Sequence, residues 1–185
     1  MTIFPTGALA LALAGQQQST AALGGAATPL PQARSFDFLT GRWTVRHRKL
    51  RRRLEGCTDW FEFDGTLEVE PILGGLGNFD RNELADPWGA YEAHSLRLYD
   101  PGEDLWSIWW LDGRAPGLEP PVVGRFNGNA GRFYGDEEFA GRPIRVRTTY
   151  ECLGAGSAEW TQAFSTNGGR TWEVNWVMEF ERLGA

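Results

Sequence analysis

The sequence predicts an all-β protein: a single antiparallel, up-and-down β-barrel of about ten strands, with a short N-terminal helix or arm. Trp and Phe, which bury large areas and favour strands, are abundant, with 9 and 11 copies among 185 residues. Short apolar runs alternate with Gly, Pro, Asn and Asp, and the body of the chain has no amphipathic stripe of three helical turns. Short links join neighbouring strands in a meander, and closing the meander into a barrel removes its exposed edges.

The N-terminal segment differs in composition from the rest of the chain. Residues 1–34 are rich in Ala, Gly, Gln and Pro and contain no acidic residue. Residues 8–14 alternate Ala and Leu as in a short secretory h-region, but no Lys or Arg precedes them. We therefore predict a flexible arm over 1–34, a barrel domain over 35–185 and a cytoplasmic location, with export through a weak N-terminal signal as the alternative. One helical turn is predicted at residues 35–39.

The strands are predicted wherever β-branched and aromatic residues lie between turn residues. Links such as 127–129 and 166–169 carry the Asn and Gly that tolerate positive φ. An open sandwich remains the alternative to a closed barrel. The predicted strands cover residues 42–53, 58–64, 65–72, 75–84, 90–99, 104–112, 121–127, 131–138, 143–152, 157–165 and 171–182.

Charge and motif content exclude several classes of function. The 24 acidic residues outnumber the 18 basic ones, and a net charge of -6 argues against nucleic acid as a partner. No apolar run approaches about 18 residues, so no transmembrane helix and no membrane partner are predicted. The chain has no P-loop, dinucleotide fingerprint, nucleophile elbow or zinc motif. We therefore predict neither a cofactor nor a metal.

Alternation along the strands predicts which side chains point inward. In 42–53, the face with Trp43, Val45, His47 and Lys49 is the more apolar and should line the interior. In 104–112 both faces are apolar, which indicates cover on both sides. The N-terminal arm or a second subunit would supply the outer cover, so a homodimer is one alternative.

The first long strand opens on Leu39-Thr-Gly41-Arg-Trp43. This segment resembles the G-x-W signature of the calycin barrels, the lipocalin and fatty-acid-binding group. The resemblance implies that Trp43 closes the barrel floor, that Arg182 packs over it, and that the interior is the size of a ligand. With residues 36–39 and 106–112, the chain from 36 to 183 is similar to a family of small bacterial calycin-like proteins of unknown function.

Nitrobindins are haem-binding relatives with similar barrels, and they use a His late in the chain. Here the only histidines are His47 and His94, and neither lies in the final predicted strands. The resemblance therefore does not extend to haem ligation.

Three residues are candidates for acid–base chemistry. His47 has an ordinary pKa near neutrality, although a hydrogen-bonded structural role is the alternative. Glu62 lies between aromatic residues, where burial would raise the pKa of its carboxyl, but strand parity equally allows it to face water. Asp112 is the third candidate. With Arg97 it could instead form an interior ion pair or clamp an anionic ligand, and a purely structural pair is an equal alternative.

Aromatic and polar side chains at inward or mouth positions are the candidate ligand contacts. The alternatives are a loop role for Asn78, a structural ion pair for Arg97, and core packing or core hydrogen bonding for the others. They are Trp43, Trp60, Asn78, Arg97, Trp110, Gln162 and Asn175.

An interior lined by aromatic rings and a few polar groups has the usual composition of a small-molecule pocket. The leading hypothesis is therefore binding of a small apolar or aromatic molecule. A cofactor-independent isomerase, cyclase or lyase using His47, Glu62 or Asp112 in the same cavity is the second hypothesis. An oligomeric interaction protein is the third, because fold alone does not choose among them.

Overall fold

A computed structural model describes residues 31–115 and 117–184 and shows a closed barrel of ten antiparallel strands. Each strand pairs with its neighbour in sequence, and the last strand returns to pair with the first. This closed meander confirms the predicted barrel over the open sandwich and is compatible with a calycin-like fold. The strands are β1 (Gly41–Leu50), β2 (Trp60–Ile72), β3 (Gly77–Leu84), β4 (Tyr91–Asp100), β5 (Leu105–Asp112), β6 (Val122–Asn127), β7 (Ala130–Phe139), β8 (Arg142–Gly154), β9 (Ser157–Ser165) and β10 (Glu173–Arg182).

Burial follows the predicted alternation in β1. Trp43, Val45, His47 and Lys49 are buried, whereas Arg42, Thr44 and Arg46 are exposed. The pattern arises because successive side chains of a strand point to opposite faces, and only one face of this wall contacts the interior. Inward-facing side chains of the other strands join this face to form the hydrophobic core inside the barrel.

One strand corrects the sequence-based division. Residues 58–64 and 65–72 were predicted as separate strands, but β2 runs through both from Trp60 to Ile72. Gly65 does not break the strand. It pairs with both Val45 and Leu84, and a side chain there would clash with the ring of His47, with Nε2 only 2.7 Å from an added Cβ. The glycine therefore makes room for a neighbouring side chain, which is a packing role rather than a turn.

The segment before β1 closes one end of the barrel. Short 3₁₀ turns form at Pro31–Arg34 and Asp37–Leu39, and the second confirms the predicted turn. Between them Phe36 is 1% exposed and lies within an aromatic cluster. Its ring makes edge-to-face contacts with Trp106, Phe126 and Tyr150 at centroid distances of 4.9, 4.8 and 5.0 Å.

Trp43 completes this closure, and Arg182 covers it as the resemblance implied. The indole Nε1 donates a hydrogen bond to the Leu39 carbonyl at 2.8 Å. The Arg182 guanidinium lies 4.1 Å from the Trp43 ring centroid and donates to the carbonyls of Phe38 and Thr40, both at 2.6 Å. The last strand thereby locks the N-terminal turn to the barrel floor.

Most of the predicted arm, residues 1–30, lies outside the described residues, so its character and the domain boundary stay predictions. Within the described residues no helix has the length and apolar character that crossing a bilayer requires.

Candidate functional site

An internal cavity lies inside the wall formed by β4–β10 and encloses about 150 Å³. It is the size of an engineered cavity that holds one benzene molecule. Its lining comes from seven strands and one loop, namely Ser95, Ile108, Trp110, Glu119, Pro120, Val122, Glu137, Val146, Thr148, Tyr150, Trp160, Gln162 and Trp176.

The cavity opens where the wall is short. β5 pairs with β6 only through Trp106, Ser107 and Ile108, so the later residues of β5 have no partner in β6. Glu119 and Pro120, in the loop between the two strands, border the cavity at this gap. Strand length therefore determines the position of the mouth.

Three inward-facing indoles form the apolar wall. The Trp176 ring makes edge-to-face contacts with Trp110 and Trp160 at centroid distances of 5.7 and 5.2 Å. Tyr150 continues the wall beyond Trp160, at 6.4 Å. Such edge-to-face packing fixes the rings and leaves their remaining faces available to a guest molecule.

Two polar atoms of this lining are buried without a hydrogen-bond partner in the described structure. They are Oγ1 of Thr148, a residue only 5% exposed, and Oε1 of Gln162. A buried polar group without a partner costs roughly 1–3 kcal/mol. Native proteins rarely leave such groups unsatisfied, so these two atoms mark the polar part of the cavity lining, where Thr148 and Gln162 lie opposite each other on β8 and β9.

The mouth carries carboxylates. Glu137 is half-buried and shares the inward face of β7 with Phe133, while Glu119 is exposed on the loop. Burial raises the pKa of Glu137, and the neighbouring charge of Glu119 raises it further. Negative charge is therefore concentrated at the entrance to an otherwise apolar space.

Below the cavity, Arg97 forms a buried ion pair with Asp80. Arg97 is 2% exposed, and its guanidinium lies 2.5 Å from the Asp80 carboxylate. It also donates to Asn78 Oδ1 at 2.8 Å and to the Tyr150 hydroxyl at 3.1 Å. Burial by itself would lower the pKa of Arg97, but Asp80 and Tyr150 outweigh it and raise that pKa.

This network corrects the predicted pairing of Arg97 with Asp112. The second oxygen of Asp80 accepts hydrogen bonds from Asn82 Nδ2 at 2.7 Å and from the backbone N–H of Ser95 at 2.6 Å. Within the described residues, each nitrogen of the Arg97 guanidinium therefore makes at least one hydrogen bond to Asp80, Asn78 or Tyr150. The network supports the cavity rather than lining it, except through Ser95 and Tyr150.

Behind Trp176 lies His47, which is 1% exposed. Its ring stacks on Phe63 at 4.5 Å, and its Nδ1 accepts a hydrogen bond from Trp176 Nε1 at 3.2 Å. Because Nδ1 accepts, the proton of the neutral ring is on Nε2. Burial lowers the pKa of His47 to about 3, with a further contribution from the charge of Lys49. The imidazole is therefore neutral at physiological pH.

Lys49 is a second buried basic group beside the same indole. Its ammonium lies 3.6 Å from the Trp176 ring centroid, donates to the Tyr91 hydroxyl at 3.1 Å and is 4.0 Å from Asp86. Burial lowers the pKa of Lys49 to about 7, and Arg53 adds to this effect. Trp176 is thus held from behind by a hydrogen bond to His47 and a cation–π contact with Lys49.

The low pKa of His47 predicts acid sensitivity. Between pH 6.5 and pH 5 the unfolded chain takes up a proton at position 47 that the folded barrel does not, so stability falls as the pH falls. This group contributes about 2 kcal/mol to the loss over that interval. Urea unfolding at both pH values should show the loss in the wild type and not in His47→Gln. His94→Gln, which changes the outward-facing histidine, should retain it, and equal losses in all three proteins would contradict the assignment.

Two predicted site residues lie on the outer surface. Glu62 alternates with the inward Phe61 and Phe63 and forms an exposed ion pair with Arg46. Trp60 shares that outer face, where Arg48 covers its ring at 5.3 Å. Strand parity is the physical reason, and the structure therefore does not bring Glu62 or Trp60 to the cavity.

Asp112 lies at the open end of the barrel but is held by Arg114. The guanidinium of Arg114 donates to both carboxylate oxygens, at 3.0 and 2.7 Å. Burial raises the pKa of Asp112, but these bonds outweigh it and the net shift is downward. Asp112 is therefore an ionised partner of Arg114, and neither His47 nor Glu62 is bonded to it.

Two of the seven predicted ligand contacts, Trp110 and Gln162, line the cavity. Trp43 lies in the floor, and Asn78 belongs to the Arg97 network. Asn175 lies at an irregularity between Val174 and Trp176 in the pairing of β10 with β9, where it is fully buried and outside the cavity lining.

Sequence reasoning missed Asp80 and Glu137, although alternation could have found both. Asn78, Asp80 and Asn82 occupy every second position of β3 and are all buried. Glu137 follows Phe133 at an even spacing on β7. Such a pattern reveals that a charged residue points inward. It does not reveal the partner of that residue, because the partner lies on another strand.

Comparison of the chain with protein-family models and with curated proteins finds no match.

Proposed function

We propose that this protein binds a small molecule with an aromatic or apolar body in the cavity bordered by Trp110, Trp160 and Trp176. The observation that carries the proposal is the combination of an enclosed aromatic space with two buried polar atoms, Thr148 Oγ1 and Gln162 Oε1, that lack partners. An aromatic wall with a few directed polar groups is the usual composition of a ligand pocket.

The volume restricts the size of the guest. Ligand pockets commonly enclose 300–1,000 Å³, and this cavity of about 150 Å³ is smaller. It accommodates one six-membered ring. A substituent on that ring would extend through the mouth between Glu119 and Glu137.

The cofactor-independent enzyme is not proposed, because its three predicted proton-transfer groups lie apart. His47 is behind Trp176, Glu62 is on the outer surface, and Asp112 is paired with Arg114. The oligomeric role stays a prediction. The outer face of β5 is only partly exposed at Trp109 and Leu111.

The binding proposal is tested by filling the cavity. Toluene should bind the wild type in isothermal titration calorimetry, and Thr148→Phe should weaken that binding at least tenfold because the new ring occupies the space. The matched control is Thr149→Phe, the same substitution one residue further along β8, on the outer face. Its affinity should stay within about twofold of the wild type, which is about 0.4 kcal/mol.

Two outcomes would contradict the proposal. One is the absence of heat with toluene and with other single-ring apolar compounds in the wild type. The other is an unchanged affinity in Thr148→Phe, provided that circular dichroism shows both variants folded. Native mass spectrometry of protein purified from its source would identify a retained ligand directly.

A further inference from the structure

The carboxylate of Glu137 differs from the other acidic groups that face the barrel interior. Asp80 is paired with Arg97, Asp112 with Arg114, and Asp86 lies within 4.0 Å of Lys49 and Arg114. Every Lys, Arg and His of the chain lies within the described residues, and none forms an ion pair with Glu137 or Glu119.

An isolated, half-buried carboxylate is unfavourable unless a cation or donor compensates its charge. The raised pKa of Glu137 expresses this absence of compensation, since burial and Glu119 both disfavour the charged form. A positively charged group placed at the mouth would reverse both effects.

The cavity lining shows an independent need for donors. Thr148 Oγ1 and Gln162 Oε1 are buried without partners, and Thr148 is 5% exposed. The Gln162 oxygen only accepts hydrogen bonds, so its missing partner is an N–H or O–H group. This acceptor lies deeper than the mouth, because Gln162 pairs with Thr148 whereas Glu137 pairs with Ile144, four residues earlier on β8. A donor on the ligand body would therefore satisfy it separately from a charged group at the mouth.

The aromatic wall favours the same class of ligand. Indole faces attract ammonium groups, and this barrel already uses the attraction once, where Lys49 lies 3.6 Å from the Trp176 ring centroid. Trp110 and Trp160 flank Trp176 on the cavity side. Rings with carboxylates beside them are a recurrent arrangement for binding organic cations.

We propose that the ligand is a small organic amine in its protonated form, with an aromatic or apolar body among the three indoles and an ammonium group at Glu137 and Glu119. This inference rests on the proposed binding function and specifies its ligand class. An isolated carboxylate at the mouth, an acceptor without a partner and an aromatic wall occur together in a cavity of single-ring size.

The test compares two ligands that differ in charge. Benzylamine, which is protonated at pH 7.5, and benzyl alcohol carry the same ring and a terminal donor of similar size. In isothermal titration calorimetry the wild type should bind benzylamine at least tenfold more tightly than benzyl alcohol. Glu137→Gln should remove this preference by weakening benzylamine binding, because the ammonium then loses its half-buried counter-charge.

Glu138→Gln is the matched control, since it removes the same charge one residue away on the exposed outer face of β7. This variant should keep the preference for benzylamine. If it lost the preference as well, a general effect of the protein's net charge would explain the result. A titration with calcium chloride provides the remaining comparison, and no heat is expected.

The outcomes separate this inference from the binding proposal. Equal affinity for the two ligands, or an equal loss in both Glu variants, would overturn the amine assignment while binding itself stands. Calcium binding that depends on Glu137, without benzylamine binding, would replace the amine with an inorganic cation. Failure of benzylamine, benzyl alcohol and toluene alike would overturn the proposed function too.

Discussion

Asp80→Asn is expected to lower the free energy of unfolding by about 3–5 kcal/mol, because it leaves the Arg97 guanidinium buried without its counter-charge. Asp80 is 1% exposed and Arg97 is 2% exposed, so water cannot replace the lost carboxylate without opening the barrel. Asparagine keeps the shape and one acceptor, so the change isolates the charge. Urea denaturation at pH 7.5 measures the loss.

Two controls accompany this variant. Asp64→Asn changes an exposed carboxylate on β2 and should alter stability by less than about 0.5 kcal/mol. The double variant with Arg97→Met should lose less than the sum of the two single variants, since the uncompensated charge is then gone. A loss in Asp80→Asn no larger than that in Asp64→Asn would show that the fold does not depend on the pair.

Trp43→Ala is expected to destabilise the barrel by about 3–5 kcal/mol, the range for removing a large buried aromatic side chain. The indole is 1% exposed, donates to the Leu39 carbonyl and supports the Arg182 guanidinium from below. Its removal leaves a void in the floor and releases the turn at residues 37–39. Thermal and urea unfolding would both report the change.

Trp88→Ala is the comparison for the floor variant, because Trp88 is 68% exposed. It should cost less than about 1 kcal/mol. If Trp43→Ala unfolds at the same urea concentration as Trp88→Ala, the indole at position 43 does not hold the floor closed. The role that the calycin resemblance implies for it would then fail.

The fold was largely predictable because the alternation of apolar and polar residues within a strand indicates which of its faces is buried. In β1 the alternation of Trp43, Val45 and His47 with Arg and Thr predicts one buried face, and the structure has that face inside. Short links between such strands allow few topologies other than a meander. The division predicted within β2 was wrong: it falls before Gly65, which is a point of close packing against His47 and the Glu83 backbone inside one continuous strand.

The site was predicted only in part. Trp110 and Gln162 line the cavity, and their part in binding a ligand stays a prediction. Glu62 and Trp60 were candidates because of their aromatic neighbours in sequence, but adjacent residues in a strand face opposite sides. For these two residues, strand parity would have predicted the direction of the side chain better than the composition of the surrounding sequence.

What the sequence determined by itself is most of the strands and the inward face of β1, because periodicity and turn chemistry are local properties. The closing role of Trp43 was implied by the calycin resemblance. Only the tertiary structure decided that Asp80 rather than Asp112 pairs with Arg97, that Lys49 lies against Trp176, and that the mouth forms beside Glu137. These outcomes depend on register and on the short pairing of β5 with β6, which bring together residues far apart in the chain. Charge compensation and cavity shape are properties of such contacts between strands, so no single strand encodes them.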